Sequence, residues 1–214
     1  MTNTAAEPTG IAHDSTDQRL LGAAERLFAE RGVDAVSLRA IMAAAGTNVA
    51  SVHYHFGSKE RLIEALLDKY LNQLERRRFA LLDVAEKAGT LRAIAESIVV
   101  PLAEIGEEGG TAWLSTLGKL LISGHPALIP MSVSFQPQAA RLQELIVRIR
   151  PNASLPSIRF GVTHAVTLTC VVLGDIPHTN RLMSLSGTYL DDGQMNAQLV
   201  DMVTAILAGP PIED

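Results

Sequence analysis

The chain has 214 residues, 47% hydrophobic and 19% charged, a balance that excludes disordered and collagen-like classes and allows one large core or two small ones. A formal charge of −5 argues against a phosphate-binding surface spread over the whole molecule, because such surfaces depend on Lys and Arg. The acidic excess is C-terminal, however: residues 1–80 hold ten basic and ten acidic side chains, residues 81–214 eight and thirteen.

Residues 1–14 read as a loose tail, with neither the basic nor the apolar region of a signal peptide. The first predicted element follows. Leu20, Leu21, Ala24, Leu27 and Phe28 form one helical stripe that Ser15 and Gln18 can open as a capping box and Gly32 can close. A short second helix starts at Ser37 as N-cap, turns Leu38, Ile41 and Met42 inward and breaks at Gly46. A third starts at Asn48, with Val49, Val52 and Phe56 as its apolar contacts and Gly57 at its end.

Ser58 then caps a long fourth helix that carries Leu62, Ile63, Leu66, Leu67, Tyr70, Leu71 and Leu74 and ends near Gly89. The run Arg76, Arg77, Arg78 on it reads as a solvated face. Beyond Gly89 the breaks fall at Gly109-Gly110, His125-Pro126, Pro137, Pro151-Asn152, Pro156, Pro177 and Asp191-Asp192-Gly193, with Pro101 kinking a helix from within. The weakly charged run Phe160–Gly174 is shorter than the ~20 apolar residues a bilayer requires and reads as a buried helix, so no membrane partner is expected. The last segment, Met195–Leu207, places Met195, Leu199, Met202, Val203 and Ile206 on one face. The expected fold is therefore all-α.

No acidic residue lies between Asp34 and Glu60, whereas Arg39, His53, His55 and Lys59 fall inside that window, so a surface built there can approach phosphates without repulsion. Two short helices joined by a tight Gly turn are the arrangement that places a recognition helix in the major groove. Thr47, Asn48, Ser51, His53 and Tyr54 stay outward on the third helix, all able to hydrogen-bond phosphates or base edges.

The stretch from Thr16 to Leu62, with SLRAIMAAAGTNVASVHYHFGSKERL at its centre, resembles the DNA-binding domain of the TetR/AcrR family of regulators. The resemblance rests on Ser37, Ile41, Ala45-Gly46, Ser51, the aromatic and His cluster before Phe56, and Ser58-Lys59-Glu60 with Leu62. It implies that Ser37 lies near a phosphate, that Arg39 reaches a base, and that Thr47, Asn48, Val49 and Ser51 begin the recognition helix. It also implies phosphate contacts for His53, Tyr54 and Lys59. The family usually carries Tyr at the position of His53. His55 reads equally as a DNA contact or a packed histidine.

The resemblance further implies three segments: the tail 1–14, a helix-turn-helix DNA-binding domain over 15–60, and a helical ligand-binding and dimerisation domain over 61–214. Segments Ser157–Met183 and Met195–Leu207 are the obvious pair for a four-helix dimer bundle. Trp113, Met131, Phe135, His164, Thr167 and Cys170 combine apolar bulk with a few polar atoms and are the candidates for an effector pocket. The implied function is a cytoplasmic homodimeric repressor, released from a palindromic double-stranded operator by a small-molecule effector, with no cofactor and no metal. A single Cys170, which cannot form an intramolecular disulfide, fits that compartment.

Two other classes stay open at this point. A helical adaptor can use the same helix-turn-helix for protein contacts. An enzyme is the other, although HExxH, GxSxG, P-loop and GxGxxG patterns are absent and the His53/His55 spacing does not put both rings on one helix face.

Overall fold

A computed structural model describes residues 16–47 and 56–209 of the chain, and the described residues form helices and turns with no strand. In chain order the helices are α1 (Thr16–Arg31), α2 (Leu38–Ala45), α3 (Lys59–Asp68), α4 (Leu71–Ala88), α5 (Leu91–Ile105), α6 (Thr111–Ser123), α7 (Leu128–Ile149), α8 (Leu155–Gly174), α9 (Ile176–Ser184) and α10 (Asp192–Ala208). Ser15, Asn48 and Val52 lie outside the described residues, so neither the predicted opening of α1 nor the predicted third helix is placed.

The core is centred on α5, whose sequence LRAIAESIVVPLAEI is apolar except along the stripe Arg92, Glu96 and Glu104 and buries ten residues from Ala93 to Ile105. Helices α4, α10, α8 and α7 pack around it, as so wide an apolar face requires. Pro101 lies inside α5 as expected. Its missing N–H leaves the Ser97 carbonyl without the usual i+4 donor, and the Nε of Arg78 donates to that oxygen at 3.3 Å.

Four expectations are corrected. The predicted fourth helix over 58–88 is two helices, α3 and α4, broken at Lys69-Tyr70. Trp113 explains the break: its ring meets Tyr70 edge-on at 5.3 Å and its Nε1–H donates to the Leu66 carbonyl at 2.9 Å. That oxygen is thereby satisfied outside the helix. Pro137 does not break the chain but sits within α7, on an exposed stretch where the loss of one backbone bond is tolerated because the freed carbonyl can be solvated. The segment 157–183 divides at Asp175, whose side chain accepts from His178 N and caps α9. On α10 the buried face is Met195, Leu199, Val200, Val203 and Leu207, while Met202 is half-exposed.

Small residues set the closest helix crossing. A Cβ on Gly174 would lie 2.6 Å from the Ser115 backbone, and one on Gly118 would lie 3.3 Å from Val171, so α6 and α8 meet nearly backbone to backbone. Helix α8 is long and apolar enough to cross a membrane by length and composition. Here it buries one face, Ile158, Gly161, Ala165, Thr169, Cys170 and Leu173. The opposite face leaves Phe160 and Val171 exposed, so the expectation of a fully buried helix is half met. At the far end of the bundle Glu86 of α4 pairs with Arg141 and Arg148 of α7, and Arg148 with Glu144 at 2.5 Å. These arginines hold the Glu86 and Glu144 carboxyls below the usual carboxylate range.

Candidate nucleic-acid interface and effector cavity

The N-terminal helices are built from local capping chemistry. Ser37 has extended backbone and its Oγ accepts from Ala40 N at 3.2 Å, which satisfies one orphan donor of α2. Ile41 and Met42 are buried against α1, and this turns Arg39 outward into solvent. Gly46 ends α2 with φ +62°, a left-handed conformation that glycine adopts without Cβ strain. Arg19 of α1 donates to the Gly46 carbonyl at 3.2 Å, and the Thr47 hydroxyl donates to the Met42 carbonyl at 3.4 Å. The turn is thus held from both sides.

Of the sequence-predicted DNA contacts, Ser37, Arg39, Thr47 and Lys59 are placed: Ser37 and Arg39 at the start of α2, Thr47 just past its end, and Lys59 in the first turn of α3. Asn48, Val49, Ser51, His53, Tyr54 and His55 lie outside the described residues. Ser58 caps α3, accepting from Arg61 N at 3.2 Å, so Lys59 occupies the first helical position, where free N–H groups and the macrodipole attract anions. The neighbouring Glu60 carboxyl is held below its usual range, first by its own backbone N–H and then by Ser58. It therefore stays ionised and faces the same helix end.

The second feature is a cavity of about 320 Å³ enclosed by α4, α5, α6, α7 and α8. Its walls are apolar: Leu74 of α4, Leu102 of α5, Leu117 and Leu121 of α6, and Leu128, Met131, Phe135 and Leu142 of α7. Ser132, Gln136 and Ala139 of α7 and Thr163 of α8 also line it and are exposed, so the cavity opens between those two helices. Two predicted pocket residues, Met131 and Phe135, line it.

The other four do not. Trp113 is fully buried and committed to Leu66 and Tyr70, and Cys170 is buried, its thiol pushed up to about 12 by burial. His164 and Thr167 lie on the outward face of α8, His164 stacked on Phe160 at 3.9 Å with its Nδ1 2.8 Å from the Phe160 carbonyl.

What sequence reasoning missed is Arg78. It is not part of a solvated face: Arg76 and Arg77 are exposed, with Arg77 held by Glu104 at 2.8–3.0 Å, but Arg78 is only 2% exposed and lines the cavity. The available signal was its phase, since Leu74, Arg78 and Leu82 fall at i, i+4 and i+8 on the buried stripe of α4. Its Nη1 donates to Gln138 Oε1 at 2.9 Å, Phe135 lies 5.7 Å from its Cζ, and burial pushes its pKa down to about 10.

A capped helix pair closed by a left-handed glycine, docked on a helical body, is the architecture expected of a helix-turn-helix regulator. Comparison with known proteins agrees with this class. Residues 20–66 match the family described as bacterial regulatory proteins, tetR family. The chain is 29% identical to the HTH-type transcriptional repressor Rv3405c of Mycobacterium tuberculosis over 162 residues, 75% of this chain and 72% of that one. It is 44% identical to the HTH-type transcriptional repressor KstR2 of Rhodococcus jostii over 55 residues, 26% of this chain and 27% of that one.

Among solved structures, the TetR family regulator PfmR from Thermus thermophilus superposes with a TM-score of 0.56 at 20% identity, over 94% of this chain and all of that one. CifR, solved with 26-base-pair operator DNA, gives 0.54 at 19% identity, over 95% of this chain and all of that one. Residues 20–66 of the chain thus match the DNA-binding region of the tetR family, and the chain as a whole shares the fold of solved TetR family regulators.

Proposed function

We propose that this regulator is a repressor that binds a palindromic operator as a homodimer in the cytoplasm and is released when its C-terminal domain takes up a small-molecule effector. One observation carries the reading: α6 serves the cavity and the DNA-binding helices at once. Leu117 and Leu121 line the cavity, while Lys119 donates to the Ala29 carbonyl of α1 and Trp113 to the Leu66 carbonyl of α3. Anything that moves α6 or α4 to accommodate an effector therefore moves the seat of the DNA-binding helices.

Within this reading Arg39, Thr47, Asn48, Val49 and Ser51 meet bases, and Ser37, His53, Tyr54, His55 and Lys59 meet backbone phosphates. The Thr47 hydroxyl is already donated to Met42, so toward DNA it acts as an acceptor. The homodimer forms through α8 and α10, whose outward faces carry Phe160, Val171 and Met202. The 15–60 and 61–214 division gives the two working parts. Likeness to repressors, one of the solved folds being bound to operator DNA, supports the assignment. Cys170, buried with a thiol that stays protonated, is unsuited to nucleophilic chemistry, which disfavours an enzyme.

The test is reciprocal linkage. An effector that weakens operator binding by about 5- to 150-fold, a coupling of about 1–3 kcal/mol, must itself be weakened by operator to the same extent. Calorimetry with and without the footprinted operator checks this. Equal effector affinity in both titrations removes the release mechanism.

A further inference from the structure

We propose that the cavity between α4 and α7 binds a small amphipathic monocarboxylate, its apolar body against Leu74, Leu102, Leu117 and Phe135 and its carboxylate on Nη2 of Arg78. This rests on the effector-domain reading above and deepens it by naming the ligand chemistry.

A guanidinium has five donors, and in this protein only two are placed, Nε on the Ser97 carbonyl and Nη1 on Gln138. Nη2 is buried and has no partner among the described residues. Among the described residues no carboxylate pairs with it, and the one group there that favours the charged form is the Cys170 thiol, which burial keeps protonated. The buried carboxylate Glu25 is committed to Lys69 at 2.7 Å, on α1. An arginine buried without a counter-charge is destabilising in the empty protein, so its position is explained by what it meets when the cavity is filled.

The fixation of Arg78 also points to recognition. Pro101 frees the Ser97 oxygen that holds Nε, and Gln138 from α7 holds Nη1, so the planar group is oriented before a ligand arrives. A fixed guanidinium edge matches a carboxylate better than a spherical or cationic group. A single cation in otherwise apolar walls suits one negative charge, and a phosphate dianion would leave the second uncompensated. The volume of about 320 Å³ lies at the small end of ligand pockets, ~300–1,000 Å³, and suits a medium-chain or single-ring acid.

The full-length protein is titrated calorimetrically at neutral pH with octanoate and 3-phenylpropionate, and with 1-octanol and 3-phenylpropanol as their uncharged counterparts. The wild type binds at least one acid about tenfold or more tightly than its alcohol, the scale of one charge-assisted pair. In Arg78→Met the preference for acid over alcohol collapses, and the melting temperature of the empty variant equals or exceeds that of the wild type, because an uncompensated charge has been removed. Arg78→Lys, which keeps the charge, retains a preference for the acid even where Arg78→Met does not fold. Acids and alcohols binding the wild type alike, neither acid binding, or an acid preference that survives Arg78→Met would each overturn the proposal. Acid binding with no change in operator affinity leaves the cavity chemistry standing and removes only its role as the effector site.

Discussion

Single side chains here act through position more than through type. Lys59 is one of eighteen basic residues, and it occupies the first helical position of α3, with Glu60 and Arg61 beside it in the same turn. As a cation against phosphate it releases counterions, whereas hydroxyl and amide donors do not. Lys59→Ala is expected to reduce the slope of log affinity against log salt by about two for the dimer, with all operator variants weakened alike, since each cation contributes ~0.9. Salt titration of fluorescence anisotropy measures this, and an unchanged slope would take Lys59 out of the interface. Arg78 carries the same charge with a different consequence, because burial strips it of solvent and makes it selective.

At the scale of helices, the closest crossing is the most exacting. A methyl group on Gly174 would meet the Ser115 backbone at 2.6 Å, and backbone cannot move aside as a side chain can. Gly174→Ala should therefore cost about 1–3 kcal/mol through forced separation of α6 and α8, measured as a lower denaturation midpoint at unchanged m-value. Wild-type stability for this variant would show that the crossing relaxes freely.

The helices illustrate what a sequence reveals. Ser37, Gly46, Ser58, Gly89 and Asp191 mark helix ends through bonds to neighbours three to five residues away, so α2, the start of α3 and the start of α10 were legible. The break at Lys69-Tyr70 was not, because its cause is Trp113, more than forty residues distant. The candidate DNA contacts were all drawn from one short stretch, and of them Ser37, Arg39, Thr47 and Lys59 fall among the described residues. The cavity, assembled from five helices, yielded only Met131 and Phe135, and Arg78 was hidden by its exposed neighbours Arg76 and Arg77.

For the whole molecule, the proposed homodimer places two recognition elements in successive major grooves about 34 Å apart, so on that reading operator affinity depends on a second copy. The exposed phenyl ring of Phe160, stacked on His164, is the largest apolar group on the outward face of α8. Phe160→Glu is expected to shift sedimentation equilibrium toward monomer and to weaken operator binding with it, because desolvating paired carboxylates across an isologous contact is unfavourable. Val84→Glu, at an equally open site on α4, should leave both unchanged. A Phe160→Glu protein that remains dimeric would move the interface elsewhere.

The joint between α6 and the DNA-binding helices has one more property. Lys119 and Trp113 both grip main-chain oxygens, those of Ala29 and Leu66, rather than side chains. A peptide carbonyl is present whatever residue occupies the position, so these attachments survive sequence drift on the reading side of the joint. The DNA-reading head is thereby free to acquire a new target sequence without renegotiating its mounting. Grafting the helix-turn-helix of another regulator, together with its α3, onto this body at Lys69-Tyr70 should preserve the mechanical connection, provided that α1 and α3 present those two carbonyls in the same places.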